Sequence, residues 1–247
     1  MNDGLVNEKD IINYLNGKTY VELNDNFKNF VEFIFNSSVI FNEKFIVKKC
    51  AGGIKPDISI SHNSITKYIS IKKGSGNSVH QENIDVFFPF FETVTNNKCL
   101  NNLKLFHYGD GTTNDTGKIR YNASQLKPIF EKEIAELNKA INKKDILKTF
   151  LDRFLFIGNV SNTSVDYVYH GTLTSGYWAT KSEIINYITN NNFNVNGIHF
   201  GPLTYQVWGR NQNRTAKYPD RRYVIQIKWQ SALNDLISIR SGVYDVF

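Results

Sequence analysis

Asp57, Ser70, Lys72 and Glu82 fall within one stretch, KPDISISHNSITKYISIKKGSGNSVHQE (55–82), and have the types that phosphate-ester hydrolysis needs. Hydrolysing a phosphodiester takes positive charge beside the attacked phosphate and a water aimed at phosphorus. A hard divalent cation such as Mg²⁺ supplies both when one or two carboxylates hold it against the substrate. A neighbouring lysine orients or helps deprotonate the water and adds charge beside the developing oxyanion. Asp57 and Glu82 are therefore the candidate metal ligands and Lys72 the group that serves the water. Ser70 is a small polar residue at the same place.

The elements that must position them can be read around this stretch. Residues 57–61 alternate as a strand, His62-Asn63-Ser64 is a turn, and 65–72 is a second strand. Two short strands about a tight turn pair as a hairpin. Side chains alternate along a strand, so Ser70 and Lys72 share one face and Asp57 lies near their level on the partner strand. Lys73 points to the other face. Gly74-Ser75-Gly76-Asn77 is a tight loop. Ser78 with Gln81 three residues on reads as a capping box opening a helix. That helix is expected to run to about Phe88, where Pro89 kinks or restarts it. Glu82 sits early on it, with Asp85 about one turn further as the alternative acid, and a helix N-terminus also favours phosphate. His80 reads as a surface histidine.

Elsewhere the spacing predicts a short helix over 7–16 stopped by Gly17, and another over 25–36 capped by Asn24 or Asp25 and carrying Glu32. SVIF (38–41) and KFIVKKC (44–50) look like a strand or hairpin. Residues 124–155 read as helix in two pieces, 165–171 as strand, 182–189 as helix, and 198–208 and 222–229 as strands. The expected fold class is α/β or α+β.

Pro56-Asp57, a strand ending Ser70-Ile71-Lys72 and a following helix, preceded by a helix with Glu32, resemble the PD-(D/E)XK nuclease superfamily over roughly residues 25–95. One departure stands out: the acid usually found two residues before the lysine is Ser70 here. Some restriction endonucleases resemble this arrangement, with a glutamate supplied from the following helix, and Glu82 takes that place. The resemblance implies a restriction-endonuclease-like mixed central sheet flanked by helices, with a strand-containing C-terminal part. It also implies Mg²⁺ as cofactor, double-stranded DNA as substrate, and a type II restriction endonuclease that pairs as a homodimer on palindromic sites. Lys73 and Asn77 then become candidate DNA contacts. The expected organisation is a nuclease core at 1–123 and a recognition part at 124–247, or one continuous domain.

The segment 209–222 carries Arg210, Arg214, Lys217, Arg221 and Arg222 against Asp220, interleaved with Asn211, Gln212 and Asn213. Arg, Asn and Gln are the side chains that read guanine and adenine edges, so sequence readout and phosphate clamping are expected here. The plainer alternative is a solvated loop.

Two other readings compete. A non-catalytic DNA-binding module with a decayed site would share every feature above. Tyr169-His170-Gly171-Thr172, followed by Gly197–Gly201, resembles ADP-ribosyltransferases and RNA 2′-phosphotransferases. No glutamate follows Glu183, however, so that family's late catalytic acid is absent, and a strand ending in a glycine turn is the simpler account. No G-x-x-x-x-G-K-[ST], G-x-G-x-x-G or G-x-S-x-G pattern occurs.

Composition narrows the classes further. With 247 residues, 41% hydrophobic and 14% aromatic, the chain can bury one large core or two small ones. No run of about 18 apolar residues suggests a membrane span. The polar start MNDGLVNEKD is not a secretory signal, and two cysteines make no disulfide framework, so a reducing cytoplasm is expected. A net charge of +6 favours a polyanionic partner.

Overall fold

Two amphipathic helices lead the chain into its first sheet. α1 (Asp3–Leu15) buries Ile11 and Leu15 and is followed by Gly17 at φ +83°. α2 (Asp25–Phe35) is capped by Asn24, whose side chain accepts the Phe27 N–H at 3.0 Å. It buries Phe27, Phe30, Val31, Ile34 and Phe35. The computed structural model describes residues 3–75, 77–160, 163–208 and 219–241.

β1 (Ile46–Lys49), β2 (Ile58–His62) and β3 (Ile65–Lys72) follow as an antiparallel meander. The β2–β3 turn is Asn63-Ser64, both at positive φ (47° and 61°). That conformation suits the twist of a two-residue hairpin, and asparagine tolerates it well. It fixes His62 opposite Ile65 and Ile58 opposite Ile69. Residues 38–41, expected as strand, are not: a 3-10 turn occupies Asn36–Ser38 and the strand begins only at Ile46.

The chain then passes through β4 (Ser78–Asn83), α3 (Ile84–Val94), α4 (Asn97–Tyr108), α5 (Ala123–Ile129), α6 (Glu131–Ile141) and α7 (Lys144–Leu151). It returns to the first sheet as β5 (Tyr167–Gly171), parallel to β3, and β6 (Gly176–Thr180), antiparallel to β5. The sheet order is β1-β2-β3-β5-β6. Ile58, Ile60, Ile69, Ile71 and Tyr169 face α1 and α2 in one buried cluster. Alternation therefore puts Ser70, Lys72 and His170 on the opposite face.

α8 (Lys181–Asn190), β7 (His199–Phe200), β8 (Leu203–Val207), β9 (Val224–Lys228) and α9 (Ala232–Ser241) complete the described chain. The second sheet is antiparallel throughout, in the order β4-β9-β8-β7. Phe87, Phe91, Phe150, Phe154 and Phe200, all fully buried, fill its core. The molecule divides into two units, each built from separated stretches. The first comprises Met1–Asn77, Leu155–Tyr187 and Ser231–Phe247; the second comprises Ser78–Phe154 and Ile188–Gln230. The chain thus crosses between the two units several times.

One correction bears directly on the site. Ser78 opens a strand, not a helix, and the helix starts at Ile84, capped by the Asn83 side chain accepting the Asp85 N–H at 2.9 Å. α3 continues through Pro89 to Val94 because Phe87, Phe88 and Phe91 bury on both sides of the proline. The 124–155 region holds three helices, not two pieces, ending in a π-helical stretch, Asp152–Ile157.

Candidate active site

The hairpin register sets Asp57 beside Ser70. The Asp57 N–H donates to the Ile69 carbonyl at 2.9 Å, extending the β2–β3 ladder by one residue. Asp57 Oδ2 then accepts three bonds: from Ser70 Oγ at 3.0 Å, from the Ile71 N–H at 2.6 Å and from Lys72 Nζ at 3.2 Å. Oδ1 accepts none among the described residues. Lys72 Nζ also donates to the Ile71 carbonyl at 3.0 Å, which uses two of its three N–H bonds and leaves one for a water or phosphate. The sheet thus brings together three of the four residues singled out. Ser70 is buried, and its hydroxyl orients Asp57 by donating to Oδ2.

A second carboxyl shares this charge field. Glu8, half-buried on α1, has its pKa raised, first by burial and then by the negative charge of Asp57; Lys49 and Lys72 oppose the rise. Sequence reasoning missed it, although a signal was present. Glu8 stands at i, i+3, i+4 and i+7 spacing with Ile11, Ile12 and Leu15, an acid on the stripe the helix reserves for apolar residues.

Glu82 does not fit its expected role. It lies in β4 opposite Ile225, with its side chain 0% exposed. Arg153 binds both its oxygens, Nε to Oε2 at 3.0 Å and Nη2 to Oε1, and His80 Nε2 meets Oε2 at 2.9 Å. Burial alone would raise the Glu82 carboxyl, but the His80 and Arg153 hydrogen bonds and the Arg153 charge outweigh it and hold the pKa below its ordinary value. A fully buried carboxylate whose charge is already met by a bidentate guanidinium, and three of whose four lone pairs are engaged, is a poor ligand for a metal. Asp85, the alternative, lies in the first turn of α3 within the same unit. Glu32 is exposed and accepts a bond from the Tyr20 hydroxyl. His80, read as a surface histidine, is buried.

Of the expected DNA contacts, Lys73 is exposed just beyond β3. Asn77 is buried and donates to the Gly74 carbonyl at 2.9 Å, closing its own loop rather than presenting its amide.

No family model and no curated protein matches the sequence. Among solved structures, the chain is similar to the restriction endonuclease MspI, crystallised in complex with its cognate DNA. The TM-score is 0.52 at 12% identity, covering 91% of this chain and 88% of that one. The fold is restriction-endonuclease-like.

In this restriction-endonuclease-like fold, the first unit carries Asp57, Ser70, Lys72 and Glu8. The second carries the described part of the Arg-rich segment. Arg221 stacks over the Trp208 ring at 4.2 Å. Arg222 bonds the Tyr223 hydroxyl and lies 3.4 Å from Asp115, while its carbonyl accepts from His107 Nε2 at 2.8 Å. Arg210 and Arg214 lie outside the described residues. No helix of the described structure is long and apolar enough to cross a membrane.

Proposed function

We propose that the chain is a Mg²⁺-dependent endonuclease that hydrolyses double-stranded DNA, acting at specific sites in the manner of a type II restriction endonuclease. The observation that carries this reading is the convergence of Ser70, the Ile71 N–H and Lys72 on one oxygen of Asp57 at the end of a sheet of this fold.

The residues fit a hard cation. Asp57 Oδ1 is without a donor among the described residues, and Glu8 on α1 is a further acid whose carboxyl is raised by burial and by the Asp57 charge. Among the described residues no group of three or more His, Cys, Asp or Glu could hold a metal. The proposed site therefore rests on two carboxylates completed by water and substrate phosphate, the manner in which Mg²⁺ is commonly bound. Glu8 replaces Glu82 as the second acid. When bound, Mg²⁺ would polarise the phosphate and lower the pKa of a water.

The protein's own groups do the rest. Ser70 and the Ile71 N–H fix the rotamer of Asp57. Lys72 directs its remaining N–H toward the attacking water or a phosphate oxygen, adding positive charge where negative charge develops. Exposed Lys73 fits a backbone phosphate just past the strand. Arg221, over the Trp208 ring, and the segment before it supply candidate groups for reading bases. A two-fold dimer would match a palindromic site.

Supercoiled plasmid incubated with the protein and Mg²⁺ should yield discrete fragments, and EDTA should prevent their formation. Plasmid left intact with Mg²⁺ and with Mn²⁺, despite measurable binding, would favour a DNA-binding module. The absence of an acid at position 70 is the observation on that side.

Glu8→Gln is expected to raise the Mg²⁺ concentration for half-maximal cleavage by about 10- to 100-fold. Mg²⁺ must displace the proton of a carboxyl held above its ordinary pKa. Wild-type half-saturation should therefore climb on acidification, starting at a higher pH than an ordinary glutamate would give. The variant should lose that part of the pH dependence. Unchanged metal dependence in Glu8→Gln would return the second ligand to another residue.

A further inference from the structure

The His170-Gly171 dipeptide has no role in the acid–lysine set, yet its contacts reach both halves of that set. His170 lies on β5 level with Lys72 across the parallel pairing and is 5% exposed. Its Nε2 lies 2.9 Å from the Gly74 carbonyl. A carbonyl only accepts, so Nε2 carries the proton and donates, and it does so in either protonation state of the ring. Asn77 Nδ2 donates to the same oxygen, engaging both of its lone pairs. Gly74 sits at φ +68°, in the turn that begins directly after Lys73. Two side chains on one carbonyl thus hold the path by which the chain leaves Lys72.

The adjoining residue holds the other half. The Gly171 carbonyl accepts from Asn7 Nδ2 at 2.9 Å, and Asn7 is a buried residue of α1 immediately before Glu8. Only glycine fits at 171: a Cβ there would lie 2.3 Å from the Ser175 carbonyl oxygen. The segment is anchored from the core side by Tyr169. Its ring stacks on Phe27 at 5.7 Å, and its hydroxyl accepts from Asn26 Nδ2 and donates to the Thr172 carbonyl at 2.6 Å.

We propose that His170 and Gly171 form the positioning element of the hydrolytic centre. Through Gly74, His170 sets the strand end that carries Lys72. Through Asn7, the Gly171 carbonyl sets the turn of α1 that presents Glu8. The proposal rests on the reading of Asp57, Lys72 and Glu8 given above. It assigns the Tyr-His-Gly-Thr motif to alignment, and His170 is a positioning residue that acts through others.

The test compares His170→Leu, His170→Gln and Asn7→Leu with wild type in the full chain. Three quantities are read: the single-turnover cleavage rate at saturating Mg²⁺, Mn²⁺ affinity by titration calorimetry without DNA, and thermal midpoint. His170→Leu should cut the saturated rate by about 10- to 100-fold with Mn²⁺ affinity nearly unchanged. His170→Gln, which keeps an N–H donor, should recover most of that rate. Asn7→Leu should do the converse, weakening Mn²⁺ binding by about 10- to 100-fold while excess metal restores cleavage. A purely structural role would lower the midpoint without splitting rate from affinity. That result, or a glutamine variant no better than leucine, overturns the proposal. If wild type neither cleaves nor binds Mn²⁺, the reading of the centre fails and the proposal falls with it. An active wild type with unaltered variants overturns the positioning role alone.

Discussion

Lys72→Ala is expected to lower the single-turnover rate of plasmid cleavage at saturating Mg²⁺ by about 10²–10⁴-fold, the loss typical of a group that serves proton transfer or charge in the transition state. Asp57→Ala should fall at least as far, because it removes the acceptor on which Ser70, the Ile71 N–H and Lys72 converge. The two losses should not add in the double variant, since each side chain orients the other. Lys72→Arg should rescue poorly: a planar guanidinium cannot occupy the place of a compact ammonium 3.2 Å from Asp57 and 3.0 Å from the Ile71 carbonyl. Duplex binding without metal should stay within about threefold of wild type, since a single lost phosphate contact is a small part of the electrostatic total. Wild-type cleavage by either alanine variant would remove both residues from the centre.

Glu82→Ala should cost about 3–5 kcal/mol of stability, because it leaves the Arg153 guanidinium largely buried without its partner. The Mg²⁺ dependence of whatever remains folded at low temperature should match wild type. Replacing Glu82 and Arg153 together by methionine should return most of the stability, as buried ion pairs often exchange for apolar residues at little cost. The folded-state pKa of Glu82 is lowered, so its contribution is complete above the ordinary carboxylate range. It is lost as the pH falls through the lowered value. Denaturant midpoints at acid and neutral pH, compared between wild type and the double methionine variant, would measure it. A Glu82→Ala chain with wild-type stability and a large rise in Mg²⁺ requirement would reinstate Glu82 as a ligand.

The centre was legible where local pattern and tertiary packing agree. DISIS, the Asn63-Ser64 turn and ITKYISIK carry alternation and turn chemistry on their face, and from these the level of Asp57 against Ser70 follows. The helices around Ile11 and Phe30 and the strand at Tyr169 were equally plain. β4 was not, because its inward positions are His80 and Glu82, and a strand that buries polar residues shows no hydrophobic alternation. Its capping-box pattern, Ser78 with Gln81, then pointed to a helix. The partner that neutralises Glu82 lies 71 residues away, beyond any local spacing. Glu8 was hidden for a different reason. α1 carries Asp3 and Asp10 as well, and the apolar stripe on which Glu8 stands gains meaning only with the charge of Asp57, far along the chain.

The parallel pairing of β3 with β5 also governs the order of events during synthesis. His170 and Gly74 are 96 residues apart, with most of the second unit encoded between them. A nascent chain that has emerged only through residue 150 already contains Glu8, Asp57, Ser70 and Lys72, but β3 has an open edge where β5 belongs. Pairings of such long sequence separation form late and slowly, and an apolar strand waiting for its neighbour is a site for misassociation. The hairpin therefore exists for much of translation as an incomplete centre. The strand that covers the open edge of β3 is the one bearing His170, so closure of that edge and alignment of Lys72 become a single folding step.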